Sequence, residues 1–128
     1  MKNTKGFSLI ELMIVVSILT VAAATLLPRF LKHQIQKRQD ECRQNLSSLH
    51  AAEKEFYRKT GVFTKDLSVL NWQAQGKGFY HYQFIPSSPP QNGFLFECTG
   101  NIDADATLDH TTIDETGQMN QITDDTKK

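Results

Sequence analysis

From Phe7 to Leu27 the chain runs through 21 residues of which one, Glu11, is charged. At about 1.5 Å of rise per residue such a stretch, as a helix, spans about 32 Å, against a bilayer hydrocarbon core of about 30 Å. The stretch therefore predicts a membrane-spanning helix and leaves about 100 residues, few for a large core, to fold outside it. A secretory signal that is cut away has an apolar part of about 7–15 residues with a small-residue site behind it. Phe7–Leu27 is longer, no A-x-A site follows it, and the helix is expected to stay with the product. Lys2 and Lys5 supply a basic start, but Arg29, Lys32, Lys37 and Arg38 follow the span, so a simple positive-inside count opposes an exported C-terminus. Export is nonetheless the expectation, because the two cysteines read as a disulfide and a disulfide needs an oxidising compartment.

Glu11 is the anomaly. A charged side chain within a bilayer costs at least about 2.5–3.5 kcal/mol on insertion scales, which makes such a residue a candidate for function with a partner to be named. The plainer alternative is a glutamate near the end of the span whose carboxylate reaches the interface.

The stretch "KGFSLIELMIVV", with Gly6, then Phe7, and Glu11 as the fifth residue after Gly6, resembles the class III leader and N-terminal motif of type IV pilins and of the related type II secretion pseudopilins. The resemblance implies that a prepilin peptidase cuts between Gly6 and Phe7, N-methylates Phe7 and leaves the apolar helix in place. Cleavage would create the missing partner, an α-amino group with an ordinary pKa near 8. The resemblance implies that Glu11 of one copy meets the Phe7 amine of the next and fixes subunit register as the filament grows. Small residues of the span, Ser17, Ala22, Ala23 and Ala24 among them, would let such helices approach closely. Pro28 removes a backbone donor and is expected to kink or loosen the helix before it, where type IVa pilins commonly carry a proline.

Beyond Pro28 the apolar residues Leu31, Ile35, Cys42, Leu46, Leu49, Ala52 and Phe56 mostly recur at three- or four-residue steps, an amphipathic stripe suited to covering a sheet. Gly61 marks the stop. Thr64 is positioned to cap a short helical turn through Leu70, Trp72 to pack beneath it, and Gly76-Lys77-Gly78 to break the chain. Phe79–Ile85, with Tyr80, Tyr82 and Phe84 on one face, reads as a strand. So do Phe94–Cys98 and about Thr107–Ile113, and the tail from Thr123 is expected to fray. Cys98 then faces the stripe that holds Cys42, consistent with a disulfide across 56 positions; two buried free thiols are the competing reading. The predicted fold is α+β and pilin-like: a long N-terminal helix, its first half spanning the membrane, packed on a small antiparallel sheet. Its parts are a leader at 1–6, a transmembrane or filament-core helix at 7–28, an amphipathic continuation at 29–60 and a head at 61–128.

Up to Thr60 the chain has ten Lys/Arg against five Asp/Glu, and from Gly61 onward four against nine. The opposed halves could attract one another between copies, or be two solvated faces. "NIDADATLDHTTID" offers Asp103, Asp105, Asp109 and Asp114 as calcium ligands, but Leu108 stands where an EF-hand loop needs glycine and Asp114 where it needs glutamate. The competing reading is a set of turn-forming, solubilising aspartates, and no cofactor is otherwise expected. His33, His50, His81 and His110 are scattered, there is no phosphate loop, and no catalytic group is expected.

The resemblance thus implies a structural subunit, inserted first in the inner membrane as a precursor and then polymerised with copies of itself into a surface filament with the head exposed. A prepilin peptidase, an inner-membrane assembly platform, motor ATPases and an outer-membrane pore would be its partners. Adhesion, motility and DNA uptake are the outputs it allows; direct nucleic-acid binding is not expected. The alternatives are a pseudopilin of a type II secretion system and, in a different class, a membrane-anchored calcium- or ligand-binding module.

Overall fold

The computed structural model describes residues 5–85, 93–103 and 105–125. The chain divides into two compact units, Met1–Gln34 and Ile35–Lys128. One helix, α1 (Leu9–Thr60), begins in the first and ends in the second, and four strands follow it: β1 (His81–Ile85), β2 (Leu95–Gly100), β3 (Asp109–Asp114) and β4 (Met119–Thr123).

In the first unit every described residue is exposed except Ala22 and Gln34, which are half-buried. Its hydroxyls turn inward along the helix backbone: Ser17 Oγ donates to the Met13 carbonyl at 2.7 Å, Thr20 Oγ1 to Val16 at 2.5 Å and Thr25 Oγ1 to Ala22 at 3.0 Å. Hydroxyls satisfied by the helix's own backbone present little to an apolar medium that needs water, which leaves Glu11 as the polar exception. α1 is helical through Pro28, whose missing N–H leaves the carbonyl one turn back without its usual partner.

In the second unit α1 buries Gln39, Cys42, Asn45, Leu46, Leu49 and Glu53. Cys42, Leu46 and Leu49 are the apolar members expected from the periodicity, and Ala52 and Phe56 lie half-buried beside them. Gln39, Asn45 and Glu53 occupy the same stripe, which apolar spacing alone did not reveal.

The strands form one antiparallel sheet in the order β1-β2-β3-β4. Its register sets Tyr82 opposite Cys98, Phe84 opposite Phe96, and Phe96 opposite Ile113. These residues belong to the face that meets α1, since alternate strand residues share a side. The core gathers Cys42, Leu46 and Leu49 from the helix with Tyr80, Tyr82, Phe94, Phe96, Cys98, Ile102 and Ile113. Aromatic rings tie it together: Phe94 lies 5.2 Å from Phe96, and Phe63 meets Phe94 edge-on at 5.0 Å. Cys42 and Cys98 are disulfide-bonded, Cα atoms 6.2 Å apart, with both residues fully buried.

Three local outcomes differ from the sequence expectation. The segment after Thr64 forms two successive turns, Val69 N–H to Asp66 O and Asn71 N–H to Ser68 O, in place of a helical turn. Asp66 Oδ1 accepts from the Ser68 N–H and hydroxyl, the local competition that lets Asp and Ser divert a backbone from helix. The sheet has a fourth strand, β4, whose sequence Met-Asn-Gln-Ile-Thr is too polar to read as one. It is folded back by a turn in which Asp114 Oδ1 accepts the N–H groups of Thr116 and Gln118 and Gly117 takes φ 83°, a left-handed value that favours glycine. The tail does not fray at Thr123: Asp125 is buried, and its N–H reaches Asp109 Oδ1 at 3.3 Å.

Candidate functional site

The N-terminal unit carries the assembly candidates. Gly6, Phe7 and Ser8 precede α1, and Glu11 sits in its first turn, exposed. That position is favourable for an acid, because the free N–H groups and the helix dipole put partial positive charge there. A side chain at Gly6 would meet nothing within 4 Å, so the fold itself does not require glycine at this position. Phe7 is 73% exposed and Leu9 76%, values that a soluble domain would not carry along a whole helix. Among the described residues α1 is the one helix long and apolar enough to cross a membrane. Its most apolar 18-residue window has a mean hydropathy of 2.4 and is 0% buried.

The second unit is held by polar clasps that reach from α1. Asn45 donates to the Gln75 carbonyl at 2.8 Å and accepts the Gln75 N–H at 2.9 Å, pinning the segment that leads into the sheet. One turn earlier Glu41 accepts the N–H groups of Lys77 and Gly78 at 3.1 and 3.2 Å. Gly76, at φ 108°, lets the loop close on that carboxylate, since a side chain there would collide with it. Two backbone N–H groups from a glycine-flanked turn make a small anion nest.

Asp109 is a buried hub. Its carboxylate accepts from Gln39 Nε2 at 2.9 Å, Tyr80 Oη at 2.8 Å and Gln121 Nε2 at 2.9 Å, joining α1, the approach to β1, and β4. Burial, and then the Asp109 hydrogen bond, push the Tyr80 hydroxyl far above its ordinary pKa. Asp114 serves its own turn; partial burial pushes it up, but the Thr116 and Gln118 hydrogen bonds outweigh that and leave its pKa lowered. Of the four candidate calcium ligands, the structure therefore brings Asp103 and Asp105 together and commits Asp109 and Asp114 elsewhere. It adds Asp125, whose carboxyl is pushed up by burial and then by the charges of Asp103 and Asp109, the Ile102 N–H opposing. Asp125 was hidden from the sequence because nothing local connects a polar tail residue to a loop twenty positions earlier.

The histidines remain apart: His50 Nε2 meets the Glu115 carbonyl at 3.0 Å, while His110 lies 2.6 Å from Glu97 on the other face of the sheet.

An apolar, unburied helix behind a short basic segment, followed in the chain by a disulfide-closed unit of helix and sheet, is consistent with the α+β pilin fold. Residues 1–27 match the family model of the prokaryotic N-terminal methylation motif. The chain is 34% identical over 81 residues to the type IV major pilin protein PilA of Myxococcus xanthus (strain DK1622), covering 63% of this chain and 37% of that one. It is 31% identical over 91 residues to the fimbrial protein EcpC of Eikenella corrodens, covering 71% of this chain and 60% of that one. The chain thus spans less than two thirds of the length of either relative.

Proposed function

We propose that this chain is the precursor of a pilus subunit that polymerises with copies of itself through the helix of residues 7–28. The observation that carries this reading is the 0% burial of an 18-residue apolar window in a helix whose beginning lies within the methylation-motif match. Such a surface is stable in lipid or against identical helices and not in water. Residues 1–6 are the leader. A prepilin peptidase removes it between Gly6 and Phe7 and methylates the new Phe7 amine; with no structural demand for glycine at position 6, the demand falls to the peptidase. Glu11 pairs with the Phe7 amine of an adjoining copy, Pro28 supplies backbone give where the helix must adapt, and residues 29–60 carry the helix into the head, 61–128. The precursor resides in the inner membrane and the product in an extracellular filament driven by separate motor ATPases.

Mass spectrometry of material sheared from the cell surface tests this. The expected result is an abundant polypeptide beginning with N-methylated Phe7. A protein confined to the membrane, or one that keeps its first six residues on the surface, overturns it. Deletion is expected to remove surface filaments and leave type II secretion intact; the reverse outcome assigns a pseudopilin instead.

A further inference from the structure

Among the described residues the Ile35–Lys128 unit exposes five large apolar side chains, and four of them stand at its two ends: Tyr57 and Val62 at one, Leu108 and Ile122 at the other. Strand pairing fixes which end is which. Ile85, Leu95 and Asp114 lie abreast at the first end of the sheet, and Gly100 and Asp109 at the second. Leu108 directly precedes Asp109, and Ile122 directly precedes Thr123, which pairs with His110. α1 ends at the first end, where Phe63 meets Phe94, and passes the second at Gln39, which donates to Asp109. From Gln39 to Tyr57 the helix rises about 27 Å, so Leu108 does not reach the far end of its own unit.

At the first end the side chains leave a gap. Tyr57 stacks on Phe63 at 4.4 Å, and with Val62, Lys65 and Phe84 they line a hollow of about 260 Å³. Its walls are aromatic and aliphatic. Among the described lining residues the one charged group is Lys65, whose ammonium lies 5.8 Å from the centre of the Phe84 ring. At the second end Leu108 is 51% exposed and follows a loop that carries Asp103 and Asp105. One end thus presents an aliphatic knob beside acidic groups, and the other an apolar hollow with a cation. Seating the knob takes apolar surface out of water on both sides and brings opposite charges together.

We propose that Leu108 of one copy seats in the hollow of Tyr57, Phe63 and Phe84 on the next, joining the heads end to end. The proposal rests on the filament reading and extends it from the helix of residues 7–28 to the head. A contact between two different patches is heterologous: every copy offers both a knob and a hollow, so the contact repeats without closing when heads stack along α1. A self-complementary patch would stop at a pair. One leucine in one hollow falls far short of a stable interface by itself, so it sets how the heads stack once the helices have brought them together.

The test uses the full chain in cells, carrying Val62→Cys and Leu108→Cys together; both side chains are exposed, so neither change opens the core. Cys42 and Cys98, fully buried and bonded to each other, take no part. Sheared surface material is treated with a mild copper oxidant and run without reductant. A ladder of dimers, trimers and longer species is expected from the double variant and monomer from each single one. Leu108→Asp should lower the sheared polypeptide at least about tenfold at normal precursor level, about what burial of one leucine side chain is worth. Lys65→Glu, which sets like charges facing, should lower it to a similar degree. Surface material without a ladder overturns the proposal and leaves the filament reading standing. So do single variants that link as well as the double one, or native yields from both Leu108→Asp and Lys65→Glu. Absence of native chain from sheared material overturns the filament reading and this contact with it.

Discussion

Asn45 and Gln75, thirty positions apart, are joined by two hydrogen bonds, amide to carbonyl at 2.8 Å and N–H to amide oxygen at 2.9 Å. A third bond ties Asn45 Nδ2 to the Tyr82 hydroxyl at 2.7 Å. One buried side chain on α1 thus fixes both the entry to the sheet and a core tyrosine of its first strand. Asn45→Ala leaves the buried Tyr82 hydroxyl without the amide that donates to it and releases the exposed Gln75 segment to solvent. The expected loss is about 2 kcal/mol of head stability, within the range for a buried group left unsatisfied. Urea unfolding followed at Trp72 reads it directly, because that ring lies 5.4 Å from Tyr82 and donates to Ser48 Oγ at 2.8 Å. A change under about 0.5 kcal/mol, the ordinary range for surface sites, would mean that the clasp is not what holds the segment.

Cys42 and Cys98 close 56 positions between the helix stripe and β2. On the chain-entropy account, joining ends that far apart stabilises by about 4 kcal/mol. Reduction of the full chain, or Cys98→Ser, should therefore lower the urea midpoint well beyond the effect of any single surface change. An unaltered midpoint after verified reduction would place the stability of the head in its aromatic packing alone.

The helix, the disulfide and three strands were legible because each has a dense local or periodic signature. The Phe7–Leu27 run, the spacing of Cys42, Leu46 and Leu49, and the alternation of Phe94, Phe96 and Cys98 belong to that class. The polar contacts were not legible, because their partners are remote. Nothing near Glu41 announces that Lys77 and Gly78 will supply its donors. Nothing in the aspartate-rich loop separates Asp109, which becomes a buried hub, from Asp103 and Asp105, which stay at the edge. β4 lacks a local signature for a related reason. Its outer residues face water, and its strand character comes from pairing with β3, Ile113 opposite Met119 and Thr112 opposite Asn120.

Glu53 is fully buried, with one oxygen accepting the Thr64 N–H at 3.3 Å and the other without a partner. Burial raises its pKa above the ordinary 4.5, the Thr64 hydrogen bond opposing. A carboxyl whose folded pKa is raised binds its proton more tightly in the folded state. The folded state is therefore penalised as pH climbs from 4.5 through the raised value, and relieved below that window. Glu53→Gln keeps an acceptor for Thr64 and removes the charge. Measured against the native chain, the variant should gain stability at pH 7, and the gain should shrink as pH falls toward 4.5. A difference that does not change with pH would show that the charge of Glu53 plays no part.

Glu11 stands in the first turn of α1, one turn beyond the nitrogen that processing at Gly6 would expose. Glu11 lies on, and Phe7 just before, a helix that buries none of its apolar window, so any packing of copies takes them out of water together. An amine so buried, with its carboxylate removed, is left uncompensated at a cost of about 3–5 kcal/mol, a factor of more than about a hundred in an assembly equilibrium. Glu11→Ala should accordingly leave the precursor in the membrane at its normal level and reduce sheared surface polypeptide by about that factor. Glu11→Gln, which keeps a hydrogen-bond acceptor and loses the charge, should fall between. The contrast matters because a glutamate that only caps the helix would affect precursor abundance before filament yield. Filaments of normal abundance from Glu11→Ala would remove the charge pairing from the account of assembly and leave apolar packing of the helices to set their register.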